Sequence, residues 1–519
     1  MPMPTILKPG DNCSIEDGVD SPGLLVDGRD YYSAFYYAAL KAKKHIVISG
    51  WQFDSETELL RGADARDAPA PARFLDFLNA LCERNTELRV YILSWDFSIV
   101  FALEREWMQE WVFNWSTNGR LWFRFDGRHA IGASQHQKFI VIDGLIAYLG
   151  GMDICAGRWD DRTHLAANTL RTDAGNGAYG PYHDIQTFFT GPLVKELTAV
   201  FKKRWLDVTG VEIELSALDP IEAAAYLPDK GRSLPVEATN AALSRTRAQT
   251  LRAIGGPVQE IRRLYADAIA GAESYIYIEN QYFSSYAVGE ALARRMKDRG
   301  RPGIDIIIIL PKETRKFVEE ISVGLAQARL LSSLRAAAKD GPSRLGVYYP
   351  AAFTKEGAEA PVFIHSKLML VDDRFMTIGS ANTTNRSMGL DDELNVSFEA
   401  ASGGGSALAG SLKRLRMDLL AEHCGLDGRA VFSLEAPDGL VDYLDRIAGS
   451  RIYRLQRYHG TKTPKINGWI KRLDEMFLDP EKAVIEENIF EIFSPDINSL
   501  FAGGITLLRR WLRNRKKAG

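Results

Sequence analysis

The chain has 519 residues, 46% hydrophobic and 25% charged, an ordinary globular balance that supports a large core and two or three domain-sized units. Its 64 Lys and Arg against 67 Asp and Glu leave a net charge of -3, which gives no sign of a nucleic-acid binder and leaves room only for a local basic cleft. Cys13, Cys82, Cys155 and Cys424 show no paired spacing, so neither a disulfide framework nor a thiolate zinc site is expected, and a reducing compartment is the simplest setting.

The opening MPMPTILKPGDNCSIEDG lacks the basic and apolar regions of a leader peptide, and no apolar run reaches bilayer length. A cytoplasmic or peripheral membrane protein is therefore expected, with export by a signal-independent route left open. The runs IVISGWQF at 46–53 and LRVYILSWD at 88–96 have the length and composition of buried strands. TGPLVKELTAVFKKRWLDV at 190–208 reads as a helix behind a Gly-Pro start. Pro and Gly punctuation over 209–245 predicts a linker. Then come IYIENQYF at 276–283, IDIIIILPK at 304–312 and the helical spacing of 323–341. Beyond ASGGGSALAG at 401–410 the pattern turns mostly helical.

Two stretches repeat a motif: HQKFIVID at 136–143 and HSKLMLVD at 365–372. Subtracting 136 from 365 gives 229, and the same offset joins GGMDICAGR at 150–158 to GSANTTNRS at 379–387. The strand-like runs at 46–53 and 276–283 fall one residue off that register. Duplication explains an order kept over so many segments. The expected fold is α/β: two lobes, 1–208 and 246–400, each a mostly buried mixed sheet flanked by helices, related as a pseudo-twofold dimer within one monomeric chain. The linker spans 209–245 and a helical extension 401–519.

In a strand, alternate side chains share a face, so His136 projects with Lys138 and His365 with Lys367. Brought together across a pseudo-twofold axis, two imidazoles and two ammonium groups make a phosphodiester site. One imidazole attacks phosphorus, the other donates a proton to the departing alkoxide, and the lysines neutralise the phosphate oxygens. Asp143 and Asp372 complete the motif and are counted in the catalytic set, although alternation puts them on the opposite face, at hairpin turns that point to a strand-end role. The glycine turns allow close backbone approach to an anion, with Asp153, Ser380 and Asn382 as candidate phosphate-site residues; a carboxylate there, Asp153, must bond a lysine or be protonated. Each histidine also needs a carboxylate on its other ring nitrogen, for which Asp184 and Glu393 are the candidates.

These segments resemble the phospholipase D superfamily, whose signature is the duplicated HxKxxxxD. GGMDICAGRWDDRTH at 150–164, YIYIENQYF at 275–283 and HSKLMLVDDRFMTIGSANTTNRSMGLDDELNV at 365–396 look most similar to the eukaryotic-type members. The resemblance covers most of residues 40–400. It implies hydrolysis of glycerophospholipids at a membrane surface to phosphatidic acid and free head group, with possible transfer to an alcohol, through a phosphohistidine on His136 with His365 as the acid. It implies no cofactor and no metal in the chemistry. A nuclease, a phosphatidyltransferase and an idle lipid-binding scaffold are the alternatives.

Other features carry two readings each. Glu279, Asn280 and Gln281 end an apolar strand, where they either support the pocket or bond neighbouring loops. Asn385 and Arg386 either order the same wall or cap the next helix. Trp159 either positions the pocket or packs, and His164 and His183 fit structural or supporting roles better than metal ligation with His136. The tail at 505–519 sets Leu507, Leu508, Trp511 and Leu512 at helical spacing among arginines and lysines, as a membrane-surface helix or a solvated terminus would.

Overall fold

The apolar runs of both halves become the central strands of two mixed sheets. The computed structural model describes residues 4–96, 109–115, 117–130, 132–175, 177–249, 256–313, 317–401 and 405–460. In the first sheet the strand order is Leu234–Pro235, Asp20–Val26, Ile185–Thr190, Ile146–Gly150, Phe139–Ile142, His45–Gly50, Arg89–Trp95 and Leu121–Asp126. In the second it is Ile15–Gly18, Asn240–Arg247, Glu393–Glu399, Phe375–Gly379, Lys367–Val371, Tyr275–Asn280, Asp305–Ile309, Arg344–Phe353 and Glu359–Pro361. The motif strand occupies the same place in each. Phe139–Ile142 runs antiparallel between Ile146–Gly150 and His45–Gly50, and Lys367–Val371 antiparallel between Phe375–Gly379 and Tyr275–Asn280. Parallel steps follow in both sheets.

Parallel strands must be covered on both faces, which is why these segments read as continuous apolar runs. Val47, Phe139 and Val141 of the first sheet and Tyr277, Leu368 and Leu370 of the second share one central core with helices Leu193–Thr209 and Ala407–Cys424. On the outer face of the first sheet, Ile46, Ile48, Ile140 and Ile142 pack under helices Asp27–Ala39 and Phe74–Arg84. The second sheet's outer face does the same with Ile276, Ile278 and Met369 under helices Glu260–Gly271 and Tyr286–Lys297. The α/β class and its helix-flanked sheets are thus as the sequence predicts.

The boundaries shift in three places. Residues 240–247 are a strand inside the second sheet, so the connection between halves ends before them. Ile15–Gly18 pairs with that strand, so the N-terminal segment crosses to the second sheet. Backbone polarity drives both, since an uncovered strand edge leaves N–H and C=O groups unpaired. Helix Ala407–Cys424 is no appendage: Leu412, Leu415, Leu419 and Leu420 are buried in the central core, where truncating one to alanine costs about 2–5 kcal/mol. The basic tail at 505–519 lies outside the described residues. Among the described residues no helix is long and apolar enough to cross a membrane.

Candidate active site

Both motif histidines precede their strands and pair, by backbone, with the other half. His136 N–H donates to Asp392 O at 2.9 Å, and His365 N–H to His183 O at 2.8 Å. Each crossing sets a ring beside the carboxylate one residue farther on. His136 Nδ1 lies 3.0 Å from Glu393 Oε2, and His365 Nδ1 lies 2.6 Å from Asp184 Oδ2. The candidate orienters are therefore exchanged between halves, which leaves Nε2 of each ring as the nitrogen not used by the carboxylate. Glu393 and Asp184 are fully buried, while the His136 side chain keeps 14% of its surface open. His136 stands edge-on to Trp51, its ring centroid 6.5 Å away, and His365 lies against Tyr182 at 5.6 Å.

The two lysines differ. Lys138 Nζ is 2.8 Å from Asp153 Oδ2 and 5.9 Å from the centre of the Trp51 ring. Asp153 accepts from Trp51 N–H through its other oxygen, so this carboxylate is bound to a lysine, as its position required. Lys367 Nζ meets the Gln281 amide oxygen at 3.1 Å, its own motif's His365 Nδ1 at 3.2 Å, and the His365 carbonyl.

Burial dominates the protonation of both histidines, of Lys367 and of the two orienting acids. It holds both imidazoles well below their ordinary value, and the ammonium groups of both halves add to the depression of each. Burial also lowers Lys367 to about 7, against the opposing pull of Asp184, and raises Asp184 to about 6 and Glu393 to about 7. Two imidazole Nε2 atoms and two ammonium groups so placed can hold a tetrahedral anion between a nucleophile and an acid.

Several expected residues do other work. Asp143 and Asp372 lie at the far end of the motif strands, roughly 16 Å along from the lysines. Both have positive φ, 52° and 55°, in tight hairpin turns. Asp143 accepts from the amides of Lys43, Lys44 and His45 at 2.6–2.8 Å, and Asp372 from those of Glu273, Ser274 and Tyr275 at 2.7–2.9 Å. They tie down the first residues of the neighbouring strands and are corrected from the catalytic set. Ser380 is turned to Glu393 Oε2, with the Leu394 N–H donating to its hydroxyl at 3.0 Å, so it supports the orienter. Asn382 keeps a buried Oδ1 without a hydrogen-bond donor. Asn280 accepts from Thr383 N–H at 3.0 Å and pins the second glycine turn. Glu279 is wholly buried and bonds His183, His423, Ser366 and Tyr277, one layer behind His365. Trp159 is buried, its ring under the Arg61 guanidinium. Asn385 accepts from Tyr286 N–H, whereas Thr384 caps the short helix Asn385–Gly389. Arg386 pairs with Asp391.

The close approach at the glycine turns is also to protein. A Cβ on Gly151 would stand 2.3 Å from Asp184 Oδ1, and one on Gly379 2.3 Å from Asn395 Oδ1. Residues missed by sequence reasoning include Trp51, Tyr182 and Arg158, whose guanidinium lies over the Tyr182 ring at 5.2 Å. Arg158 falls within the quoted GRWDD segment, but nothing in that spacing aims it at His365. Two groups among the described residues bring metal-type donors together: Asp27, His164, His183 and Glu422, and His183, Glu279 and His423.

The chain is similar to known proteins over much of its length. The family described as "Phospholipase D" matches residues 126–297, and "Cardiolipin synthase, PLD-like domain" matches 265–405. Phospholipase D alpha 1 of Zea mays is 23% identical, over 78% of this chain and 65% of its own length. Phospholipase D1 of Saccharomyces cerevisiae is 23% identical over 78% of this chain and 29% of its length, and Phospholipase D A of Dictyostelium discoideum 25% over 70% and 32%. The chain thus spans less than two thirds of these relatives. A solved structure of phosphatidylserine synthase from Haemophilus influenzae aligns with 83% of this chain and 94% of its own at 13% identity and a TM-score of 0.49. Both repeated motifs fall within these matches, the first in 126–297 and the second in 265–405: the chain belongs to the phospholipase D superfamily, close to its eukaryotic-type members.

Proposed function

We propose that the protein is a phospholipase D, cleaving the distal phosphodiester of glycerophospholipids at a membrane surface. The observation that carries this reading is the exchange of carboxylates: each half supplies the histidine and lysine of one motif and the acid that orients the other half's histidine. Neither half is complete alone.

In the first step His136 Nε2 attacks phosphorus, the bond to the head-group oxygen breaks, and His365, protonated at Nε2, gives its proton to that oxygen. Water then attacks the phosphatidyl-histidine, His365 takes the proton, and the P–N bond breaks to release phosphatidic acid. The assignment of His136 as nucleophile rests on family resemblance and agrees with its greater exposure. General acid–base help is worth roughly 10²–10⁴, so the lysines and the covalent route must supply the remainder for so slow an ester. An arriving phosphodiester anion compensates Lys367, whose ammonium group meets no carboxylate among the described residues, and favours the protonated form of His365.

Transfer to an alcohol in the second step is the other reading, favoured by the match of residues 265–405 to the cardiolipin synthase family. Incubation with mixed phospholipids, with and without ethanol, and in parallel with a nucleic acid, followed by mass analysis, separates the outcomes. Phosphatidic acid supports hydrolysis and phosphatidylethanol supports transfer; release of neither, with a nucleic acid cleaved instead, overturns the lipid assignment.

A further inference from the structure

Behind the His365 side of the pocket lies a second cluster that none of these steps uses. Asp27, His164 and His183 come from the first half and Glu422 from helix Ala407–Cys424; all are buried, the most exposed, Glu422, at 8%. Glu422 Oε1 is 3.0 Å from both His164 Nε2 and His183 Nδ1. Asp27 reaches the same two nitrogens through its two oxygens, Oδ2 3.4 Å from His164 Nε2 and Oδ1 3.1 Å from His183 Nδ1. Four ligands on bonds of 2.0–2.1 Å around a tetrahedral ion stand about 3.3 Å apart; the four nitrogen–oxygen separations of 3.0–3.4 Å are near that spacing, and one donor atom from each residue lies within 4.8 Å of all the others.

The surroundings match too. His164 Nδ1 lies 3.0 Å from Asp160 Oδ2, itself held by Arg171, and His183 Nε2 lies 3.0 Å from Glu279 Oε2. A carboxylate on the outer nitrogen of each ring is how imidazole ligands are fixed and made more basic. Arg162 holds the other oxygen of Glu422. Asp27 Oδ2 is buried and accepts no hydrogen bond among the described residues.

We propose that Asp27, His164, His183 and Glu422 bind one divalent transition-metal ion, zinc by its tetrahedral two-nitrogen, two-oxygen donor set. With four protein ligands and no open position the site is structural. It clasps helix Ala407–Cys424 to the first half and stiffens the layer carrying Asp184 and Glu279. The ligands run from residue 27 to residue 422, so no compact zinc spacing could appear in the sequence.

The test uses the full chain, expressed in zinc-supplemented medium and purified without chelator, and does not depend on its activity. Elemental analysis should find about one zinc per chain. A strong chelator should lower Tm by at least about 5 °C, and zinc chloride, but not magnesium chloride, should restore it. His164→Gln should lose the bound zinc. If that variant does not fold, X-ray absorption on the unaltered protein decides: two imidazole and two carboxylate ligands support the site, and sulfur ligation or six-fold coordination overturns it. Less than about a tenth of an equivalent of metal, with Tm indifferent to chelator and zinc, overturns it in favour of shared protons.

Discussion

The two halves of the active site use the same parts with different charge. In the first, Lys138 is neutralised by Asp153 and covered by Trp51. In the second, the position 229 residues after Asp153 is Asn382, and Lys367 has the neutral Gln281 amide instead. One ammonium thus sits against a carboxylate, and the other, with neutral partners among the described residues, is lowered by burial to about 7. The duplicated halves differ at two positions around the lysine, Asp153 against Asn382 and Trp51 against Gln281, and in the proposed reaction that difference leaves Lys367 as the lysine that receives phosphate.

The largest expected effect erases the comparison altogether. His136→Ala and His365→Ala should each reduce phosphatidic acid release at least about 10⁴-fold with circular dichroism unchanged, because neither half can act alone. A variant retaining a tenth of the activity would show that one half suffices. Next, Glu393→Gln and Asp184→Asn should each cost about 10²–10³ in kcat with little change in KM, each silencing the histidine of the opposite half.

The pH profile sharpens the contrast between lysines. Glu393, at about 7, must be ionised to hold His136, so kcat/KM falls as pH drops below that value; Lys367, also at about 7, must be charged, so kcat/KM falls as pH rises above it. The expected curve is a narrow bell near neutrality. Asn382→Asp should give the second half the charge pattern of the first and carry the alkaline limb up by about one unit. A limb that stays in place separates Lys367 from catalysis.

Gly151→Ala forces a methyl group against Asp184 and should lower activity about tenfold, with about 1–3 kcal/mol of stability lost, read from kcat and chemical denaturation. The smallest effect on turnover belongs to Asp143→Ala and Asp372→Ala. Each unpins three strand amides, so stability should fall by about 1–3 kcal/mol while turnover per folded molecule stays within about twofold.

Much of this was legible in the residues. Alternation paired His136 with Lys138 and His365 with Lys367, and the Asp-Gly and Asp-Asp turns told that the last motif residues sit at strand ends. Asp184 and Glu393 could be named because a basic imidazole needs an acid. Their exchange between halves could not be seen, since it depends on backbone pairing of 135–136 with 392 and of 363–364 with 182–183. Ser380 and Gly151 were misplaced beside phosphate for a related reason. Small and polar residues at a turn look alike whether they meet a ligand or a buried carboxylate. The strand at 240–247 was hidden by weak hydrophobicity, NAALSRTR offering one leucine and two alanines to the core.

The sequence by itself determined the duplication, the buried strands and the identity of the reacting groups, because periodicity and residue chemistry are local properties that survive in a string of letters. Only the tertiary structure decided which acid serves which histidine, which lysine stays uncompensated and how residues from 27 to 422 meet in one buried cluster. Those facts are distances between segments remote in the chain, fixed when two sheets bury their faces against each other, and no local pattern encodes them.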